Sequence, residues 1–302
     1  MLGNSNDVPY VVFSNNTFNG VTTMSRYGKR PDGVVLYDGP SRINGERIVL
    51  IATFKTSNEK TGNLIQTWIL LADKHPIEAI NSGEDTAICG SCPLRGVIQK
   101  LADARNLSKA QRKQDPNDTV NRERGCYVAV QNAPRAIWMA WDKGNYPAYD
   151  KAEHGRWFRG RGLRMGSYGD PVAVPLTTWK PILRLAGKSQ PGYTHQWKLR
   201  KFQAWRNYVM ASTHSEAEVA LANSKGWRSY RTRKADEPLV DGGTACPASE
   251  EGNYKHTCES CGACDGSRKV ITLGVDKRPN MAIVVHGGDS KITGAVAVIE
   301  RS

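Results

Sequence analysis

From residue 126 onward, short apolar stretches alternate with amphipathic ones, and this alternation limits the folds open to the chain. "LRMGSY", "GYTHQW", "YVMASTHS" and "WRSYRTRK" predict strands, and the stretches between them predict helices. The clearest helix is "SEAEVALANSKG", which Ser215 caps and Gly226 ends. Strands that alternate with helices form β-α-β units, so we predict an α/β protein with a parallel sheet. A doubly wound sheet and an incomplete (β/α) barrel are both compatible with this pattern.

The first third of the chain has a different rhythm. "RIVLIATFKTS" and "LIQTWILLAD" predict two strands of a hairpin around "NEKTGN". Residues 1–45 are rich in Asn, Gly, Ser and Thr, which is typical of loops with short strands, and residues 96–123 begin with a helical pattern. We therefore predict an N-terminal β-rich segment at 1–65 and a barrel-like domain at 66–302.

Polar side chains gather where the predicted strands end. Asp170 follows one strand, His195 and His214 close the next two, and Arg231 ends the one after. Parallel α/β folds build their sites at this edge, which favours the barrel, and the four residues are our candidate catalytic set. Asp170 also precedes a proline, so a turn-forming role is the simpler reading of that residue.

Four cysteines near the C-terminus predict a metal site. Cys246, Cys258, Cys261 and Cys264 form C-x11-C-x2-C-x2-C within a loop that we place at 244–268. Three thiols at successive x2 spacing resemble ferredoxin-type ligation of a 4Fe–4S cluster, with a remote fourth cysteine. Zinc remains the alternative, with His256 as a possible replacement ligand.

Three further cysteines form C-x2-C-x33-C and are one ligand short of a closed site. Cys89, Cys92 and Cys126 are candidate ligands of a second metal, either a second cluster with an open iron or a zinc ion. His75 and His154 are candidate fourth ligands. Cys126 can equally be a buried apolar residue, as free cysteines often are.

Charge and targeting signals define the expected surroundings. The net charge of +13 favours a polyanionic partner, with nucleic acid first and a host protein second. We find no signal peptide and no apolar run long enough to cross a membrane, so we expect a cytoplasmic protein with no membrane partner. Cytoplasmic thiols stay reduced, and clustered cysteines there more often bind metal than form disulfides.

Several stretches between residues 65 and 290 resemble a family of uncharacterised, cysteine-rich bacteriophage proteins. They are "AICGSCPLRG", "GCYVAV", "RMGSYGDPVAVPLTTW", "GYTHQW", "MASTHSEAEVALANSKGWRSYR" and "CPASEEGNYKHTCESCGACDG". The resemblance implies a viral protein in the cytoplasm of the infected bacterial host. A looser likeness to phage proteins of the radical-SAM type implies a barrel-like fold with a cluster at the strand carboxyl ends. The sequence lacks their CxxxCxxC signature, so the likeness does not extend to SAM chemistry.

Two functions fit these features. The first is a cluster-dependent redox or radical-type enzyme that acts on a nucleotide or nucleic acid. The second is a binding module without catalysis, in which zinc staples the C-terminal segment and the basic surface holds nucleic acid or a host protein.

Overall fold

The computed structural model describes residues 29–104, 108–240, 242–267, 276 and 278–302. Packing divides the chain into Met1–Arg30 and Pro31–Ser302. All helices and strands of the described residues lie in the second unit. The predicted loops and strands at 1–28 lie outside the described residues.

Strands and helices alternate along most of this unit. The strands are β1 (Gly33–Pro40), β2 (Arg47–Thr53), β3 (Ile65–Leu71), β4 (Val97–Lys100), β5 (Thr119–Arg122), β6 (Leu163–Tyr168), β7 (Tyr193–Thr194), β8 (Met210–Thr213), β9 (Ser229–Arg233), β10 (Gly243–Ala245) and β11 (Asn280–Val284). The α-helices are α1 (Pro76–Ser82), α2 (Thr86–Cys89), α3 (Ala133–Asp142), α4 (Lys151–His154), α5 (Leu176–Ala186), α6 (Glu216–Ser224), α7 (Cys258–Cys261) and α8 (Asp289–Arg301).

The first sheet has the order β1-β2-β3-β6. β1, β2 and β3 pair antiparallel, which confirms the predicted hairpin, and β6 joins β3 in parallel. β2 is buried along nearly its whole length because β1 and β3 flank it and its apolar side chains belong to the main hydrophobic core. The pairing of β2 with β3 crosses the predicted boundary at residue 65, so the structure does not divide there.

The second sheet is parallel throughout, in the order β10-β11-β9-β8-β7. A parallel bridge between Met165 and Gly192 sets the start of β7 beside β6. The carboxyl ends of β6, β7, β8 and β9 therefore face the same side. The protein is α/β with a parallel sheet, and in the described residues no pairing of β1 with β10 closes a barrel.

Helices between the parallel strands follow the sequence pattern closely. α6 begins where predicted, because the Ser215 side chain accepts a hydrogen bond from the Glu218 N–H (3.3 Å), and Gly226 follows its end with a φ of +75°. α5 keeps Pro181 inside it and buries Trp179 fully. Apolar burial of such large side chains supplies the main stabilising term of the core.

Two local predictions are wrong. Residues 97–100 form β4 rather than a helix, and β4 pairs antiparallel with β5. The stretch "KLRKFQAWRN" forms 3-10 turns over Arg200–Asn207 instead of an α-helix. Both segments are short and expose cationic side chains, so local hydrophobic periodicity gave little information about them.

Candidate functional site

A cavity of about 350 Å³ lies at the carboxyl ends of β6, β7, β8 and β9. All seven cysteines line it, and all seven are free thiols. The sequence separates the two cysteine groups by more than a hundred residues, and the fold brings both to one space. The cavity is therefore the candidate functional site.

The C-terminal cysteines are anchored to the parallel sheet. Cys246 follows β10, and its N–H donates to the Ala282 carbonyl of β11 (2.8 Å). Cys258 and Cys261 are the ends of α7, which Thr257 and Ser260 cap reciprocally.

Glycine closes α7 before the last cysteine of the loop. Gly262 takes the left-handed conformation (φ +61°) after α7, which glycine adopts at little cost. The carbonyl of Cys264 accepts from the Gly192 N–H (3.1 Å) at the start of β7.

A buried arginine and a partly exposed glutamate hold the same loop from two sides. Arg228 Nη1 donates to the carbonyls of Ala263 and Asp265 (2.8 Å each). Glu259 Oε2 accepts from the Asn63 N–H (2.9 Å), just before β3. The cysteine loop is thus fixed by both sheets.

Cys246 and Cys264 of this group are buried, and tyrosine side chains lie beside them. Burial raises the pKa of the Cys264 thiol to about 12, although a hydrogen bond from the Tyr193 side chain lowers it in part. Burial also raises the pKa of Cys258, against which the Arg164 guanidinium acts. Tyr230 forms a side-chain hydrogen bond with Cys246, and burial is the main reason that its own pKa is raised. In the metal-free protein the thiols of Cys258 and Cys264 are therefore protonated at neutral pH.

An ion-pair network fixes the first cysteine group. Asp85 is fully buried at the start of α2 and accepts from Arg95 Nε (2.9 Å) and Arg124 Nη1 (3.4 Å). Cys89 ends α2, and the following turn carries Cys92. Removing one partner of a buried ion pair leaves an uncompensated charge in the interior, which is strongly destabilising. The network therefore holds the turn firmly in place.

Gln196 clamps this turn against β7. Its Nε2 donates to the Cys89 carbonyl (3.1 Å), and its Oε1 accepts from the Ser91 N–H (3.3 Å). Gly90 between them has a φ of +55°, and a Cβ there would lie 2.5 Å from the Gln196 side chain. A larger residue at position 90 would therefore displace the clamp.

Two histidines connect to the first cysteine group. Cys92 Sγ lies 3.8 Å from His195 Nε2, which lies 3.1 Å from His214 Nε2. The pKa of His195 is held well below its usual range by burial and then by the neighbouring His214. Burial lowers the pKa of His214 to about 4. Both rings are neutral at pH 7, so one Nε2 donates and the other accepts.

The other histidines that we considered as ligands lie elsewhere. His75 caps α1 through Nδ1, which accepts from the Ile77 N–H (3.3 Å), and His154 Nδ1 accepts from the Asp150 N–H (2.9 Å). His256 is exposed beside Ser260 and does not line the cavity. The histidine nearest the first cysteine group is therefore His195.

Asp170 lines the cavity and also forms the predicted turn. Its carboxylate accepts from the Val172 N–H (3.2 Å), the Thr194 hydroxyl (2.9 Å) and the His195 N–H (3.0 Å). Burial nevertheless raises the pKa of Asp170 to about 6. The residue holds the His195 segment in place, which makes it a positioning residue in this conformation.

Arg231 does not reach the cavity, contrary to our prediction. Tyr230 and Thr232 line it, and side chains alternate along a strand, so Arg231 points to the opposite face of β9. There Arg231 Nη2 donates to Glu237 Oε2 (3.0 Å), and Nη1 lies 3.6 Å from Glu216 Oε1. Its role in this structure is an ion pair under α6.

The donor set suits a thiolate-bound metal group. Thiolates are the ligands of iron–sulfur clusters, and hydrogen-bond donors to the sulfurs are their usual outer partners. Among the described residues, no three His, Cys, Asp or Glu side chains are close enough together to hold a metal ion. Binding would therefore require the thiols to lose their protons and move together, which couples metal loading to pH.

Sequence reasoning missed the aromatic side of the site. The rings of Tyr193 and Tyr230 pack against each other at a tilt of 47°, with centroids 4.5 Å apart, and both contact cysteines of the C-terminal group. Tyr127 stacks on His286 at the mouth of the cavity, with centroids 6.0 Å apart. The sequence contained a signal for these tyrosines. Side chains two residues apart on a strand share a face, so Tyr193 lies on the face of His195, and Tyr230 lies on the face of Thr232.

A comparison of the chain with protein-family models, curated proteins and solved structures found no match. In the described residues, no helix is long and apolar enough to span a membrane. The geometry of the cavity is thus the basis for assigning a function.

Proposed function

We propose that the protein is an iron–sulfur enzyme whose cavity binds its substrate beside a 4Fe–4S cluster held by Cys246, Cys258, Cys261 and Cys264. The observation that carries the proposal is the convergence of all seven cysteines on one cavity at the carboxyl edge of a parallel sheet. Sites of α/β proteins form at this edge. A nucleotide or nucleic acid is the proposed class of substrate.

Side chains beside the first cysteine group would exchange protons with a substrate in the cavity. Cys92 lies beside His195 Nε2, and His195 and His214 form a pair that can take up one proton from a substrate, because the resulting imidazolium donates its Nε2–H to the Nε2 of the other, neutral ring. Asp170 keeps the His195 backbone in register with this pair. A bound cluster would supply single electrons, and these residues would set the protonation of the substrate.

We also propose a barrel-like fold and a bacteriophage source for the protein. The parallel strands, extended through β6 and β3, are consistent with an incomplete barrel. The stretches that resemble the phage family contain all seven cysteines, together with His195 and His214 of the cavity. We therefore propose a phage-encoded protein that works in the cytoplasm of the infected bacterium.

The assignment of ligands is tested by two matched cysteine variants. We expect Cys264→Ser, reconstituted anaerobically with iron and sulfide, to lose most of the about four irons that a 4Fe–4S cluster contains. Cys126→Ser, from the first group, should keep them. About eight irons in the parent protein, with half lost in Cys126→Ser, would assign a second cluster to Cys89, Cys92 and Cys126. Full iron retention in Cys264→Ser would refute the assignment.

A basic groove favours the second candidate function, which is nucleic-acid binding on a zinc-stapled scaffold. Lys198, Arg200, Arg206 and Lys225 line a surface groove of about 580 Å³. Lys198 and Lys225 both lie over the ring of Trp197, at 5.2 and 5.9 Å from its centroid. Cations arranged in a groove suit a phosphate backbone.

Salt dependence separates this candidate from the first. If the groove binds nucleic acid, affinity for a labelled DNA duplex should fall steeply between about 50 and 200 mM salt. The variant Arg200→Glu should weaken it at every salt concentration, and Lys109→Glu, at an exposed position outside the groove, should change it much less. Equal binding by the parent and Arg200→Glu would remove this candidate.

A further inference from the structure

Arg164 is a cation in the wall of the cavity, and no carboxylate in the described part of the chain pairs with it. It lies on β6, and its Nη2 donates to the Tyr127 hydroxyl (2.6 Å). Its Nε is buried, and no atom of the residues that the structure describes accepts a hydrogen bond from it. The ionisable groups that act on it most strongly are the hydroxyls of Tyr127, Tyr193 and Tyr230 and the thiol of Cys258. A guanidinium has five donors in a rigid fork, and among the described residues the hydrogen bond to Tyr127 is the one that Arg164 forms through it.

The cavity as a whole favours an anion. Among its described lining residues the cations are Lys60 and Arg164, and the carboxylate is Asp170. Both oxygens of Asp170 already accept hydrogen bonds from the protein. No free carboxylate among these lining residues therefore competes for Arg164, so its guanidinium can pair with an anionic group of a ligand.

Arg164 also stands where two cavities meet. A second cavity of about 520 Å³ adjoins the first and is lined by Trp68, Ile137 and Tyr146. The two cavities share the residues Asn58, Tyr127, Val128, Arg164 and Ser167. A ligand held by Arg164 can therefore extend into the aromatic chamber and present its other end to the cysteines.

We propose that Arg164 binds an anionic group of the substrate, a phosphate or a carboxylate, and that Tyr127 gives up its hydrogen bond to Arg164 when the anion arrives. This inference deepens the proposed function and rests on it for the identity of the ligand as a substrate. Tyr127 is 48% exposed, so its side chain can move aside without disturbing the core. Arginine suits this role because its fork matches both oxyanions in a bidentate way.

The test is isothermal titration calorimetry of the full chain, as purified without oxygen, with inorganic phosphate, acetate, AMP and adenosine as separate probes. We expect AMP to bind more tightly than uncharged adenosine. Arg164→Met should weaken binding of the anions by about tenfold or more, and Arg164→Lys should weaken it less, because one charge remains while the fork is lost. Arg184→Met, an exposed arginine outside the cavity and outside the basic groove, is the matched control and should bind as the parent does.

Tyr127→Phe keeps the test decisive if the Arg164 variants fold poorly. It removes the hydrogen bond between the Tyr127 hydroxyl and the guanidinium, with which an incoming anion would compete, so anion affinity should rise by about twofold to fivefold. Binding of phosphate rather than acetate would indicate a phosphorylated substrate, and the reverse a carboxylic acid. Absence of anion binding to the parent, or anion binding by Arg164→Met at parental affinity, would overturn the inference.

Iron content, measured on the same samples, separates this inference from the proposed function. If the parent contains iron and the Arg164 variants bind anions as tightly as the parent does, the anion site is refuted and the cluster assignment stands. Anion binding that depends on Arg164 in a parent protein without iron would keep the anion site and refute the cluster. An Arg164→Met protein that loses iron and keeps its anion affinity would show that the guanidinium serves the metal site instead.

Discussion

At the scale of single residues, the two cysteine groups of the cavity have different kinds of neighbouring side chain. The C-terminal group has tyrosine hydroxyls beside Cys246 and Cys264, and the first group has imidazole beside Cys92. A hydroxyl donates a hydrogen bond to a thiolate, whereas a neutral imidazole either donates or accepts. The two groups are therefore chemically different, which suits a division between metal binding and proton handling.

The Tyr193 hydroxyl should tune a bound cluster. A hydrogen bond to a ligating sulfur stabilises the reduced, more negative cluster, so we expect Tyr193→Phe to lower its midpoint potential. A differential stabilisation of about 1 kcal/mol corresponds to about 40 mV for a one-electron couple. A spectroscopic redox titration measures the shift. Tyr208→Phe, which removes the hydroxyl of a ring packed on Trp205 outside the cavity, should leave the potential unchanged, and an equal potential in Tyr193→Phe would contradict the assigned contact.

Asp170 should make stability depend on pH. Its folded pKa of about 6 lies above the ordinary value of about 3.9, so the folded state binds the proton more tightly than the unfolded state does. The resulting contribution to stability is full below about pH 4 and is lost as the pH rises through about 6.

Comparison with Asp170→Asn isolates this effect. Relative to the variant, the metal-free parent should lose roughly 2–3 kcal/mol of unfolding free energy between about pH 4 and pH 7. Urea unfolding at several pH values gives the difference directly. Parallel pH profiles of the two proteins would show that Asp170 does not titrate in this range.

At the scale of elements, the strands and helices that carry the site were largely predictable. The capped helix after β8 and the hairpin of β2 and β3 each have a strong local signal, in Ser215 with Gly226 and in two apolar runs around a polar turn. Residues 97–100 and Arg200–Asn207 lacked such a signal, because their shape depends on partners elsewhere in the chain. Local pattern identifies an element, and tertiary contacts decide the ambiguous ones.

The N-cap of α6 should affect the segment that carries His214. Ser215 caps the helix, and Glu218 Oε2 in its first turn accepts from the His214 N–H (2.8 Å). We expect Ser215→Ala to reduce the free energy of unfolding by about 1 kcal/mol, the usual value for a lost N-cap. Ser224→Ala at the exposed end of the same helix should cost less than about 0.5 kcal/mol. Equal losses in the two variants, from chemical denaturation, would argue against the cap.

For the whole molecule, the sequence predicted which residues meet better than where each side chain points. The polar strand ends predicted a shared edge, and Asp170, His195 and His214 do line one cavity there. The prediction for Arg231 is wrong because a shift of one residue along a strand moves a side chain to the opposite face of the sheet. The strand β9 is short, so its sequence gives little indication of which residues face the cavity. The meeting of Cys89, Cys92 and Cys126 with the C-terminal cysteines depends on the order of strands in the sheets, which spacing alone does not contain.

The central claim is that the convergent thiols hold an iron–sulfur cluster, and one measurement tests it most directly. The full chain is purified without oxygen, and its iron, zinc and sulfide contents are determined together with its visible absorption spectrum. We expect about four irons and about four sulfides per chain, with a broad visible band that fades on reduction. A colourless protein with about one or two zinc ions and no sulfide would contradict the claim and leave a zinc-stapled binding protein.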